Sequence, residues 1–193
     1  VNNRFQEMQG YSSTLSTSGI GVSARTSVKV ANDYKVKIGG NTNEKNTFVN
    51  CGMGVSLSEI QNALVKNNLI IKTSGQNYIS QGYSGKFGIK YTNSLASYFD
   101  CNNNTLKNMR MGIEMAQNGN SRVVCNFIQN SILTDNNNDI CHTAIYVHGP
   151  QVYEPGGMNS SININQNAIT NVGNGINLEN FSGITNFSIS DNS

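Results

Sequence analysis

Residues 99–115 read FDCNNNTLKNMRMGIEM, and residues 162–178 read ININQNAITNVGNGINL. The two stretches align without a gap and share one template. It runs apolar, x, apolar, x, x, Asn, x, apolar, x, Asn and, after three more positions, Gly, apolar, x, apolar. The second half returns as Gly21-Val22-Ser23-Ala24, Gly54-Val55-Ser56-Leu57, Gly88-Ile89-Lys90-Tyr91, Gly112-Ile113-Glu114-Met115, Ala144-Ile145-Tyr146-Val147 and Gly175-Ile176-Asn177-Leu178. The first half returns as Val36/Ile38, Ala63/Val65, Phe99/Cys101, Ser121/Val123, Ile162/Ile164 and Phe187/Ile189. Alternation of apolar and polar residues with a period of two is the pattern of a strand with one buried face. No segment carries a comparable 3.6-residue stripe.

Asparagine marks the corners. A column of Asn3, Asn41, Asn68, Asn104, Asn126, Asn167 and Asn192 is expected, each before a strand carrying a large apolar side chain. Asparagine tolerates left-handed backbone angles, and its amide can bond the amide stacked above it. Short strands joined by Gly/Asn/Ser corners at a spacing in the twenties predict an all-β fold, a parallel β-solenoid of about six to seven coils. Repetition is obligatory in such a fold, because one coil buries its apolar face and pairs its backbone only against its neighbours.

The run Ile164-Asn165-Gln166-Asn167-Ala168-Ile169-Thr170-Asn171 followed by Gly175-Ile176 resembles the generic repeat of right-handed parallel β-helix proteins of pectate-lyase-like fold. The resemblance covers nearly the whole chain. It implies a single-stranded right-handed parallel β-helix, in a superfamily that includes polysaccharide lyases, hydrolases, epimerases, phage tailspikes and surface adhesins without catalytic activity. The Asn/Ser-rich coils resemble those of large bacterial surface proteins, which implies a secreted or cell-surface location in a bacterium.

All 193 residues are consumed by the coils, so one domain is expected over 1–193. The chain opens on Val1 in mid-coil and stops just after a first strand, which reads as a segment of a longer secreted or surface protein. Charged residues make up 12% and the net charge is +2, which argues against nucleic acid or an anionic membrane as partner. No apolar run is long enough for a transmembrane segment. The 33 asparagines, with many serines, threonines and glycines, present a neutral hydrogen-bonding surface suited to a polysaccharide or surface glycan.

Cys51, Cys101, Cys125 and Cys141 are read as buried free thiols, since cysteine packs as a small hydrophobe. A Cys101–Cys125 disulfide between neighbouring coils is the alternative; its partners are offset by two positions, which strains the Cα separation a disulfide accepts.

Stacking the Gly-apolar-x-apolar strands aligns two outward columns: Ser23, Ser56, Lys90, Glu114, Tyr146, Asn177, and Arg25, Ser58, Thr92, Ala116, His148, Glu179. Lys90, Glu114, Tyr146 and His148 form the candidate catalytic set, an acid, a base and a phenol such as a polysaccharide lyase needs at one sugar. Glu179 and Asn177, with Tyr153 and Glu154 from the loop 148–159, are candidate ligand-binding residues. Long corners at 73–87 and 131–143 could wall the same face. The plain alternative is an ordinary polar sheet surface with a Lys90–Glu114 cross-strand pair. Aspartate sets and Asp-Pro-His strings of the enzymatic branches are missing, and so is tryptophan, a common sugar-stacking residue.

No metal site is expected from the cysteines, which form no C-x-x-C pair. The run from Asp135 to Asp139 carries oxygen donors but neither the glycine pivot nor the bidentate glutamate of a calcium loop. A solvated turn is expected there, with calcium at Asp135 and Asp139 as the alternative. The expected function is a structural or adhesive β-helix module that binds glycans. The alternatives are a polysaccharide lyase using the Lys90/Glu114/Tyr146/His148 face, and a subunit of a larger surface or secretion assembly or of a polypeptide with flanking domains.

Overall fold

Among the described residues, eighteen short strands, each with apolar side chains on one face, stack as three parallel sheets of six strands. The computed structural model describes residues 3–6, 20–25, 35–73, 87–94, 96–118, 122–135, 141–149, 160–180 and 184–193. The first sheet holds β1 (Arg4–Gln6), β4 (Thr47–Val49), β7 (Leu69–Ile71), β10 (Thr105–Lys107), β13 (Ser131–Leu133) and β16 (Ala168–Thr170). The second holds β2 (Ile20–Arg25), β5 (Met53–Ser58), β8 (Phe87–Asn93), β11 (Met111–Gln117), β14 (Cys141–His148) and β17 (Val172–Glu179). The third holds β3 (Lys35–Ile38), β6 (Asn62–Lys66), β9 (Ser97–Asn102), β12 (Val123–Ile128), β15 (Ser160–Asn165) and β18 (Ile184–Ser190). The chain visits the sheets in that order six times, so the fold is a parallel β-helix of six coils, as the repeat predicts.

The core is a set of files running through the coils. Phe48, Ile70, Leu106 and Ile132 line the first sheet; Val55, Ile89, Ile113 and Ile145, then Leu57, Tyr91, Met115 and Val147, line the second. On the third sheet Ala63, Phe99, Cys125 and Ile162 form one inward file and Val65, Cys101, Phe127 and Ile164 the other. Tyr91 stacks on Phe99 with ring centroids 4.3 Å apart, and Phe99 meets Phe127 edge-on at 5.8 Å. The Tyr91 hydroxyl, buried with them, donates to the Ile60 carbonyl (2.5 Å) and accepts from Asn93 Nδ2 (2.8 Å). Burial pushes this phenol up to about 12.

The asparagine column exists, but with two different members. Nδ2 of each amide donates to Oδ1 of the next, through Asn3, Asn46, Asn68, Asn104, Asn130, Asn167 and Asn192, at 2.9–3.1 Å. Asn46 and Asn130 replace the expected Asn41 and Asn126. Asn41 sits in an exposed turn at the corner of the first coil, where its backbone N–H donates to Glu44 Oε2 (3.0 Å). Asn126 points outward from β12 and donates to Asp100 Oδ1 (2.6 Å). The same four-residue slip affects the third sheet, where Cys125/Phe127, not Ser121/Val123, continue Phe99/Cys101. Ladder spacings run from 22 residues (Asn46 to Asn68) to 43 (Asn3 to Asn46), the excess lying in the corners beside the second sheet and, in the first coil, also in the corner 39–46 before β4.

The corner from the third sheet to the first is the tight one. Asn67, Asn103, Gln129, Gln166 and Asp191 each precede a ladder asparagine with φ between 53° and 56°. The corner from the first sheet to the second uses the left-handed Asn50, Asn108 and Asn171 in the coils that turn sharply. Lys72 and Thr134 occupy that position where the longer corners begin, and neither has a positive φ.

Gly21, Gly54, Gly88 and Gly112 open the buried second-sheet strands because a side chain there would strike the next coil. A Cβ on Gly54 would lie 2.7 Å from the Gly88 carbonyl oxygen and 2.8 Å from Ile70 Cγ2. None of the four cysteines is in a disulfide, and all are buried. Cys101 and Cys125 face Phe127 and Phe99 across the third sheet and not each other. Burial raises both thiols and pushes Cys141 up to about 11. The inward files of the sixth coil are covered on one side only, which leaves Phe187 46% and Ile189 44% exposed on β18.

Candidate functional site

The outward face of the second sheet gathers the predicted residues in the expected register. Ser56, Lys90, Glu114, Tyr146 and Asn177 are direct partners in successive strands, and Ser23 precedes them. Thr92, Ala116, His148 and Glu179 form the adjoining file, preceded by Arg25 and Ser58. Each side chain projects outward because its neighbours in sequence, such as Ile145 and Val147 around Tyr146, are committed to the core.

The face divides into two clusters. In the third and fourth coils Lys90 Nζ lies 3.1 Å from Glu114 Oε1, with 32% and 12% of the two side chains exposed. The Lys90 ammonium also sits 4.6 Å from the centre of the Phe87 ring. In the fifth and sixth coils the Tyr146 hydroxyl donates to Glu179 Oε2 (2.7 Å), and Asn177 Nδ2 donates to Glu179 Oε1 (3.2 Å). Asn180 Nδ2 stands 3.1 Å from His148 Nε2, and the Tyr146 and His148 rings are 6.2 Å apart. Partial desolvation, then the Glu179 carboxylate, pushes the Tyr146 phenol up to about 12. The phenol therefore holds its proton at neutral pH.

Asn180 was not among the sequence candidates. It is the left-handed residue that ends β17 (φ 59°), and its position directly after Glu179, where the outward file turns the corner, is the signal that marks it. Glu114 and Glu179 lie two coils apart and in different files, so roughly 10 Å separates their strands. That exceeds the separation of about 5 Å between the carboxyls of a retaining glycosidase. Tyr153, Glu154 and Asp139 lie outside the described residues, as do most of the loop 148–159 and of the corner 73–87, and residues 136–140 of the corner 131–143.

Asp135 is engaged at the corner from the first sheet to the second. Lys107 Nζ (3.0 Å) and Asn108 Nδ2 (3.2 Å) approach its Oδ2. These donors, Lys107 first, hold the carboxyl below the usual aspartate range. Among the described residues no cluster of three or more His, Cys, Asp or Glu is placed to hold a metal ion, and no helix is long and apolar enough to cross a membrane. Comparisons with protein-family models, curated proteins and solved structures found no match to this chain.

Proposed function

We propose that this chain is a module of a secreted or cell-surface bacterial protein, of pectate-lyase-like descent, whose β-helix acts as a rigid element and whose second-sheet face binds glycans. One observation carries the reading: on two adjacent strands and the turn after them, Tyr146, Asn177 and Glu179 form one partly exposed hydrogen-bonded group, and His148 and Asn180 form another beside it. Groups held this way lose little freedom on binding, and each retains lone pairs or protons for sugar hydroxyls. The tyrosine ring adds an apolar surface for a pyranose.

The lyase alternative asks more of the same face. It needs a cation free to meet the sugar carboxylate, while Lys90 is paired with Glu114. A second reading, a subunit of a larger surface assembly or a segment docked to flanking domains, is favoured by the apolar end of the sixth coil around Phe187 and Ile189.

Affinity electrophoresis through gels containing a panel of neutral and acidic polysaccharides tests the glycan reading. At least one polymer should retard the protein, and the Tyr146→Ala/His148→Ala double variant should lose most of that retardation while melting at an unchanged temperature. Retardation by no polymer, or retardation indifferent to the double variant, would remove this face as a glycan site. Formation of unsaturated uronates would instead restore the lyase.

A further inference from the structure

The charges of this chain are partitioned along the solenoid and not scattered. Every lysine and arginine stands at or before Arg122; residues 123–193 contain none. That same stretch carries Asp135, Asp139, Glu154, Glu179 and Asp191. It comprises β12 of the fourth coil and the whole of the last two coils. The strand segments that build the Tyr146–Glu179 cluster, and every loop between them, therefore hold no arginine or lysine.

Among the described residues the nearest lysine or arginine on the face is Lys90, two coils from Tyr146 and already paired with Glu114. Arg25 shares a file with Glu179 but stands five coils away, over 20 Å at about 4.8 Å per strand. Physiological salt screens charges beyond about 8 Å. Glu179 is exposed, and its oxygens accept only from the neutral donors Tyr146 and Asn177 among the described residues.

From this we infer that the face takes uncharged glycans and excludes polyuronates. The inference rests on the glycan-binding reading above and names the ligand class. A neutral sugar can donate hydroxyl protons to Glu179 and accept from Asn177 and Asn180. A uronate carboxylate brought to the same place meets Glu179 with no guanidinium or ammonium to offset it. Each such carboxylate within about 4 Å of Glu179 weakens binding about fivefold, the equivalent of about 1 kcal/mol in water.

The test compares retardation by neutral galactomannan, xyloglucan and mixed-linkage β-glucan with retardation by polygalacturonate and alginate, at low and at physiological salt. A neutral polymer should retard the protein and the two polyuronates should not, most clearly at low salt. Asn177→Lys places an ammonium beside Glu179 and should raise polyuronate affinity at least fivefold. Glu179→Gln, which removes the carboxylate charge, should raise it by a similar factor. Equal or stronger retention of polyuronates by the unaltered protein would overturn the inference and leave glycan binding standing. Indifference of polyuronate binding to both substitutions in variants that melt normally would also overturn it. Retention of no polymer would overturn both.

Discussion

Asn104 shows what a ladder residue contributes. It is 1% exposed, donates from Nδ2 to Asn130 Oδ1 (3.1 Å) and to the Val65 carbonyl (2.9 Å), and accepts at Oδ1 from both the backbone N–H and Nδ2 of Asn68. Asn104→Ala strands the backbone N–H of Asn68 and the Val65 carbonyl without access to water, at about 1–3 kcal/mol each before relaxation, while Asn68 Nδ2 keeps the Ile38 and Lys66 carbonyls. The variant should lose about 3 kcal/mol in urea unfolding, whereas Asn126→Ala, on the outward face, should lose less than about 1 kcal/mol. Equal losses would mean that the inward ladder has been assigned to the wrong asparagines. The distinction was partly legible in the sequence. Both Asn126 and Asn130 precede an apolar residue by two positions, so local pattern alone cannot choose between them. For Asn46 a local clue existed: it stands eight residues before Gly54, as Asn104 and Asn167 stand before Gly112 and Gly175. Asn130 had no such clue, because an insertion separates it from Ala144.

At the scale of the strand, the glycine that opens each second-sheet strand is a packing requirement whose strength depends on the coil. Gly54→Ala would press a methyl group into the Gly88 carbonyl and Ile70, with the stacked backbones unable to part without breaking the sheet. It should cost about 1–3 kcal/mol. At Gly175, in the sixth coil, an added Cβ meets nothing within 4 Å, so Gly175→Ala should change stability by no more than about 0.5 kcal/mol. Chemical denaturation of the two variants checks the contrast, and a costly Gly175→Ala would show that another surface covers that end. The outward columns of the same strands were readable from the sequence because a period of two leaves no choice of face once the inward residues are known. Which outward residues bond one another was not readable. Tyr146–Glu179 and Asn180–His148 join neighbouring strands, and depend on side-chain reach across the sheet and on the left-handed turn after Glu179.

For the whole molecule, the four thiols report on the integrity of the stack. Cys51, Cys101, Cys125 and Cys141 occupy the core of the second to the fifth coil, and none is bonded to another. The native protein should react with no equivalent of an aromatic disulfide reagent at neutral pH, and the denatured protein with four. Two equivalents after denaturation would restore the Cys101–Cys125 bridge that the register excludes. A solenoid contacts itself only between adjacent coils, so thiols near its ends should react earlier during partial unfolding than Cys101 and Cys125.

The amino-acid sequence alone determined the period-two strands, the asparagine-rich corners, the inward and outward files of the second sheet, and hence a parallel β-helix. Each of these follows from local sterics and from the alternation of side chains along an extended chain. Only the stacked structure decided which asparagines enter the ladder, that Cys101 and Cys125 face phenylalanines, and how the polar side chains of the fifth and sixth coils engage one another. Those outcomes depend on coil register, and insertions of unequal length conceal that register until hydrogen bonds between coils select it.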